Sequence, residues 1–355
     1  MGSVATTTAP PAAEGAQPRP AFGYQTIDAA QSGSDNSANA SAESVVGGVV
    51  YVNGWWGTLY ALKAATGAVE WNFPTGGGSA PTVVGGVVYV GSGVDKLYAL
   101  NASTGAEMWS FKTGLPVESV PTVINGVVYF GSYDRRLYAV NATTGAKIWS
   151  YRTDSGIDSS PAVTNGIVYV GSDDHSVYAL NASTGAEIWT YKTGDSVLSS
   201  PALADGVLYI ASFDNRLYAL RAKTGRMVWS YLTGNGIDSS PAVANGVVYV
   251  GSDDESIYAL DALTGRKVWS YTTSGDVESS PTVVNNTVFV GSDDDSIYAL
   301  RAQTGAKRWS FATQGCVVSA PEVTRGVVYV TSFDGHLYAL RATTGREMWS
   351  FPVAG

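Results

Sequence analysis

The chain has 355 residues, of which 45% are hydrophobic and only 14% charged, with a formal net charge of −9 and a pI near 4.7. That acidic balance argues against nucleic acid or an anionic membrane surface as a partner. The absence of any apolar run of about 18 residues argues against a transmembrane helix, and the single cysteine, Cys316, excludes an intrachain disulfide.

Residues 1–40, opening MGSVATTTAPPAAEGAQPRP, are rich in Ala, Pro, Ser and Thr. They lack the basic start and apolar stretch of a signal peptide and read as a disordered leader. Such a leader fits a piece cut from a larger membrane-anchored protein. Residues 41–355 read as one domain, because from about residue 44 the chain repeats itself. Tyr60, Tyr98, Tyr138, Tyr178, Tyr218, Tyr258, Tyr298 and Tyr338 each precede a Thr-Gly pair and then a Trp, from Trp71 to Trp349. The spacing is 38 residues for the first step and 40 for each later one. A fixed period of this size marks a repeat architecture.

Within residues 161–200 the first signal is Asn165-Gly166, suited to a two-residue type I′ turn. After it, IVYVGS is a β-branched run without alternation, as in a strand covered on both faces. GSDDHS then supplies a polar turn, SVYAL a third strand, NASTG a turn and EIWTYKT a fourth strand. Eight such four-stranded units with both faces to cover predict an all-β, eight-bladed β-propeller of antiparallel blades. Blades two to eight open near Pro81, Pro121, Pro161, Pro201, Pro241, Pro281 and Pro321. Each Trp is expected on the outer strand, bridging to the next blade, with small residues such as Ala179 and Gly185 making room for its own blade's ring. Closure of the ring is expected either from face packing or from a latch within Phe22–Ile27.

The pattern VYVGS-x-D-x-x-[LVI]-YAL-x-A-x-TG-x-x-x-W resembles the tryptophan-docking repeat of pyrroloquinoline-quinone-type (PQQ-like) β-propellers, and the resemblance covers residues 44–355. It implies kinship with three functional groups: quinoprotein dehydrogenases, the propeller lipoprotein of the outer-membrane β-barrel assembly machinery, and the extracytoplasmic sensor domains of actinobacterial Ser/Thr kinases. By the same resemblance the location is extracytoplasmic, periplasmic or at the cell surface. The dehydrogenases hold their quinone against a disulfide of adjacent cysteines and use Ca²⁺. With Cys316 alone, neither the quinone nor Ca²⁺ is expected as a cofactor.

Function is therefore sought on the loops. One face gathers the second-to-third-strand turns and the blade-to-blade connectors. An Asp recurs in the turn (Asp134, Asp174, Asp214, Asp254, Asp294, Asp334) and reads as a turn-former accepting backbone N–H bonds. The residue before it is acidic in Asp173, Asp253 and Asp293 but aromatic in Tyr133, Phe213 and Phe333, and blade one carries Trp55-Trp56. A turn does not require an aromatic, so these rings read as ligand contacts or, more plainly, as rings packed over their own connectors. Arg136, Arg216 and His336 accompany the aromatics, a combination suited to a peptide, sugar or carboxylate or, more plainly, to local pairing with the turn Asp. Glu118, Asp158, Asp238 and Glu278 stand three residues before blade-opening prolines and form either an acidic channel mouth or merely solvated acidic loops. Arg221, Arg226, Arg266, Arg301, Arg341 and Arg346 fall on the opposite face. The leading expectation is a non-catalytic propeller, a sensor or assembly scaffold, binding a protein, peptide or small ligand on the acidic and aromatic face. The alternative is a quinoprotein-type dehydrogenase or a propeller enzyme recruited to a biosynthetic pathway.

Overall fold

A computed structural model describes residues 43–54 and 57–353. The leader, the Phe22–Ile27 segment and the Trp55-Trp56 pair lie outside the described residues. Those described form eight four-stranded antiparallel sheets, each taking its strands in simple sequence order. Blade four shows the plan: strands Ala162–Thr164, Ile167–Ser172, Ser176–Asn181 and Glu187–Lys192, with Tyr169 opposite both Ala162 and Ala179, and Ala179 opposite Trp189.

Local chemistry explains the meander. Asn165 and Gly166 take φ of 49° and 75°, the paired positive values of a type I′ hairpin, and Asn285 and Asn286 (48° and 59°) do the same without glycine. The two middle strands of blade four are buried almost throughout, because neighbouring blades cover both faces, whereas the outer strand exposes most of its residues. The first strands of neighbouring blades touch and so line the central channel. Around that channel one connector bonds to the next at 40-residue steps: Val120 N–H to Ser160 Oγ, then Ser160, Ser200 and Ser240 N–H to Ser200, Ser240 and Ser280 Oγ, all at 2.8–2.9 Å.

The seams between blades repeat one contact. Trp149 Nε1 donates to Ala182 O of the next blade at 2.9 Å, and Tyr129 Oη donates to the same carbonyl at 3.1 Å. The glycine that seats a given Trp belongs to the following blade and not to the ring's own blade, which corrects the expectation for Gly185. A Cβ built on Gly185 would lie 2.7 Å from Trp149 Cδ2, and φ there is +71°. The last seam uses the same parts: Trp349 Nε1 donates to Ala64 O at 3.0 Å, and a Cβ on Gly67 would meet Trp349 at 2.8 Å. Blade eight takes all four strands from one stretch of chain, Glu322–Pro352, so among the described residues no strand is exchanged at the closure, and the seam they form is one of face packing.

Gly185→Ala therefore carries two penalties, backbone strain and overlap with an indole, and is expected to cost about 2–4 kcal/mol. Gly166→Ala has a similar φ but nothing within 4 Å of the added Cβ, so it should cost only about 1–2 kcal/mol. Urea unfolding of the two variants side by side checks the difference.

Candidate functional site

The recurring Asp of the second turn is a scaffold residue. Asp134 Oδ2 accepts from Tyr138 Oη at 2.7 Å and from Gly114 N–H of the connector at 2.8 Å. Asp174, Asp214, Asp254, Asp294 and Asp334 repeat both bonds with Tyr178, Tyr218, Tyr258, Tyr298 and Tyr338 and with the matching connector N–H. This pins each connector to the following blade's turn and fixes where the variable residues point.

The residues just before that Asp do not behave alike. The Tyr133 ring leans over the connector leaving its own blade, where a Cβ on Gly156 would sit 2.8 Å from Tyr133 Cδ1. Phe213 does the same over Gly236, at 3.0 Å. Both rings are half-buried, whereas Phe333 is 48% exposed. The companions are also dispersed. Arg216 Nη1 donates to Ser230 Oγ at 3.2 Å, Arg136 pairs across the sheet with Arg152, and His336 Nδ1 lies 3.3 Å from Asp334 Oδ1. The Arg216 and His336 side chains are thus each held within their own blade.

The carboxylates do converge. Asp158 (1% exposed) and Asp238 (8%) are buried, which corrects the reading of these connectors as solvated acidic loops. Tyr133 Oη donates to Asp158 Oδ2 at 2.7 Å, and Glu118 lies near the same hydroxyl. Besides burial, the charges acting on Asp158 are those of Glu118, Asp173 and Asp238, and those acting on Asp238 are Glu278, Asp253 and Asp173. One arc of acid therefore runs from the connector entering blade three to the turn of blade seven. Glu118 Oε2 and one Oδ1 each of Asp158, Asp173, Asp238 and Asp253 are buried without a hydrogen-bond partner. Desolvation pushes Glu118 and Asp253 up to about 7 and Asp173 to about 6, with neighbouring carboxylates adding to the last two, while Asp158 and Asp238 stand well above the usual carboxylate range. The same charges and burial hold the Tyr133 phenol firmly protonated. Among the described residues, none of these five acids has a lysine or arginine ion-pair partner; His175 eases Asp173 but pairs with Asp195 at 3.7 Å.

At the far end of the arc, carboxylate oxygens of Asp276, Glu278 and Asp293 all lie within 4.8 Å of one another. Sequence reasoning singled out Glu118, Asp158, Asp238 and Glu278 but gave Asp173, Asp253 and Asp293 no role in a site and passed over Asp276. The available signal was the coincidence, in one connector–turn junction, of an acid on either side of Val277 with an acid before the turn Asp. On the opposite face the six arginines are exposed. Crevices of about 310–410 Å³ recur there between blades, lined by equivalent hairpin residues such as Asn165 and Asp205, and are part of the architecture.

Comparison with known proteins supports this architecture. A family model described as "Beta-alanine-activating enzyme, beta-propeller" matches residues 78–287, more than half of the chain. A second, described as "Outer membrane protein assembly factor BamB", matches residues 27–90 and 276–355. No curated protein matches significantly. Among solved structures, BamB from Moraxella catarrhalis is similar at a TM-score of 0.70 and 20% identity, covering 85% of this chain and 97% of that one. The computationally designed Ika8 protein is similar at 0.77 and 16%, covering 86% and 96%. The quinohemoprotein alcohol dehydrogenase ADHIIG from Pseudomonas putida HK5 is similar at 0.71 and 19%, covering 84% and 69%. At these identities the likeness is one of fold.

Proposed function

The chain belongs to the β-propeller family of the beta-alanine-activating enzyme, and from that premise we propose that it is a non-catalytic binding propeller whose loop face receives a positively charged segment of a partner protein. One observation carries this reading: five carboxylates from five loops, three connectors and two turns, are desolvated toward one another, each with an unpartnered oxygen and no lysine or arginine counter-charge among the described residues. Burying acid in this way costs stability unless something pairs with it. A lysine or arginine side chain entering the channel mouth supplies that pairing, with Tyr133, Phe213 and Phe333 as apolar walls beside it. The match to an assembly-factor model at both ends of the ring supports a protein partner and an extracytoplasmic setting.

The disulfide of adjacent cysteines that holds the quinone in quinoprotein dehydrogenases cannot form in this chain. Cys316 is the only cysteine, and its Sγ lies 3.6 Å from the Asp293 carbonyl oxygen.

Calorimetric titration with an oligo-arginine peptide tests the proposal. Saturable binding is expected, weakened about 10-fold by Glu118→Gln together with Asp158→Asn and falling with added salt. Equal binding by the wild type and that double variant would overturn it.

A further inference from the structure

The acidic arc is not uniform, and its end at blade seven differs in kind. Asp276 and Glu278 belong to the connector from blade six to blade seven, and Asp293 to the second turn of blade seven. The connector lies tight against that turn: a Cβ on Gly275 would fall 2.6 Å from Asp294 N, and Asp293 N–H donates to Asp276 O at 2.9 Å.

The fold does not ask for acid at this place. The backbone bond between turn and connector recurs from Tyr133 to Pro116, Asp173 to Gly156, Phe213 to Ser196, Asp253 to Gly236 and Phe333 to Cys316. At those junctions the residue equivalent to Asp276 is Pro, Gly, Ser, Gly or Cys. Only here do both sides of the junction carry a carboxylate, with Glu278 as the third. Among the described residues this is the only grouping of three ligating side chains so close together.

A second observation points to an occupant. Asp238, more than nine-tenths buried, has an Oδ1 with no hydrogen-bond partner, and the neighbouring charge acting on it most strongly is Glu278. A buried, unpartnered carboxylate oxygen under the charge of Glu278, which itself stands within 4.8 Å of Asp276 and Asp293 oxygens, is unfavourable for the protein alone. A cation among them reverses the sign of that interaction. Ion–oxygen distances of about 2.3–2.6 Å place the oxygens around one calcium ion within about 5 Å of each other, and a donor set made only of carboxylates suits a hard ion over zinc or copper.

We infer that Asp276, Glu278 and Asp293 hold a hard divalent cation of the calcium class, with the buried Asp238 next in line beside Glu278. Water and backbone carbonyls complete its coordination, as Ca²⁺ requires more oxygens than three side chains supply. The ion fixes the blade-seven end of the loop face. This does not rest on the partner reading, since the site is complete within the chain.

The test uses the full chain after treatment with a chelator, titrated with Ca²⁺ by calorimetry and, separately, with Tb³⁺ by luminescence sensitised through nearby aromatic rings. One equivalent is expected to bind saturably, with a dissociation constant below about 1 mM. Asp276→Asn and Asp293→Asn should each weaken it by about 10-fold or more, and Asp205→Asn on the opposite face should leave it unchanged. Each variant removes a repelling charge, so its chelated form should unfold no lower than the chelated wild type, which separates lost binding from lost folding. Absence of saturable binding up to about 10 mM, or equal binding by the Asp276 and Asp293 variants, would overturn the inference. Peptide binding measured in chelator keeps the partner reading separately testable.

Discussion

Replacing Asp158 with Asn and Glu118 with Gln is expected to raise the thermal midpoint at about pH 8 by roughly 5 °C, although both side chains are buried or half-buried. In the native state Glu118 is pushed up to about 7 and Asp158 is raised well above the usual carboxylate range, whereas in the unfolded chain both regain ordinary values. Between those two limits the native state binds more protons than the unfolded one, so stability is greatest near about pH 4–5 and declines as pH rises toward about 7. For Glu118 alone the difference is on the order of 3 kcal/mol. Asp173 and Asp253, raised to about 6 and 7, act in the same direction, as does Glu43, fully buried at the seam between blades eight and one. Asn at 158 can still accept the Tyr133 hydroxyl bond, so the substitution removes charge without orphaning its partner. Calorimetric scans across this pH range should show the wild-type midpoint falling with pH and the double variant falling less steeply. A wild-type midpoint that rises with pH would contradict the account of these acids.

The second large effect lies in the seams. Trp149→Ala removes a buried indole, its bond to Ala182 O and its seat on Gly185, and should cost about 3–5 kcal/mol. Trp349→Ala should cost as much, because the closing seam has the same bond to Ala64 O and, among the described residues, no exchanged strand to share the load. Trp149→Phe keeps much of the apolar contact and leaves Ala182 O with its Tyr129 bond, so about 1–2 kcal/mol is expected. Guanidinium unfolding of the three variants reads these differences. A Trp349→Ala loss far below that of Trp149→Ala would mean that the ring is closed by something other than this packing.

Much of the fold was legible because its signals are local and repeated. Asn-Gly pairs mark hairpins whose φ values bear them out, unbroken β-branched runs mark the doubly covered strands, and the recurring Asp is the turn-former it resembles. The seating of each Trp was placed on the wrong blade because a 40-residue period cannot say whether a glycine serves its own ring or its neighbour's. The site was legible in part. Four connector acids stood out by position, but their burial depends on how closely connectors approach across the channel, which no spacing along the chain encodes. For the same reason Asp173, Asp253 and Asp293, set apart in the sequence only as an acidic class of turn residue, could not be tied to the connector acids they meet, which lie two or more strands away along the chain. The aromatic residues stood out for the opposite reason: a turn does not require them, yet Tyr133 and Phe213 turn out to cap connector glycines. Tyr133→Ala should therefore lower stability as well as binding.

The most direct test of the central claim, that the acidic loop face is the docking surface, is hydrogen–deuterium exchange of the chain with and without a saturating arginine-rich peptide. Added protection is expected in the connectors around Glu118, Asp158 and Asp238 and in the turns around Asp173 and Asp253, and none in the hairpins at Asn165-Gly166 and Asp205-Gly206 on the other face. Protection confined to those hairpins, or spread evenly over both faces, would contradict it.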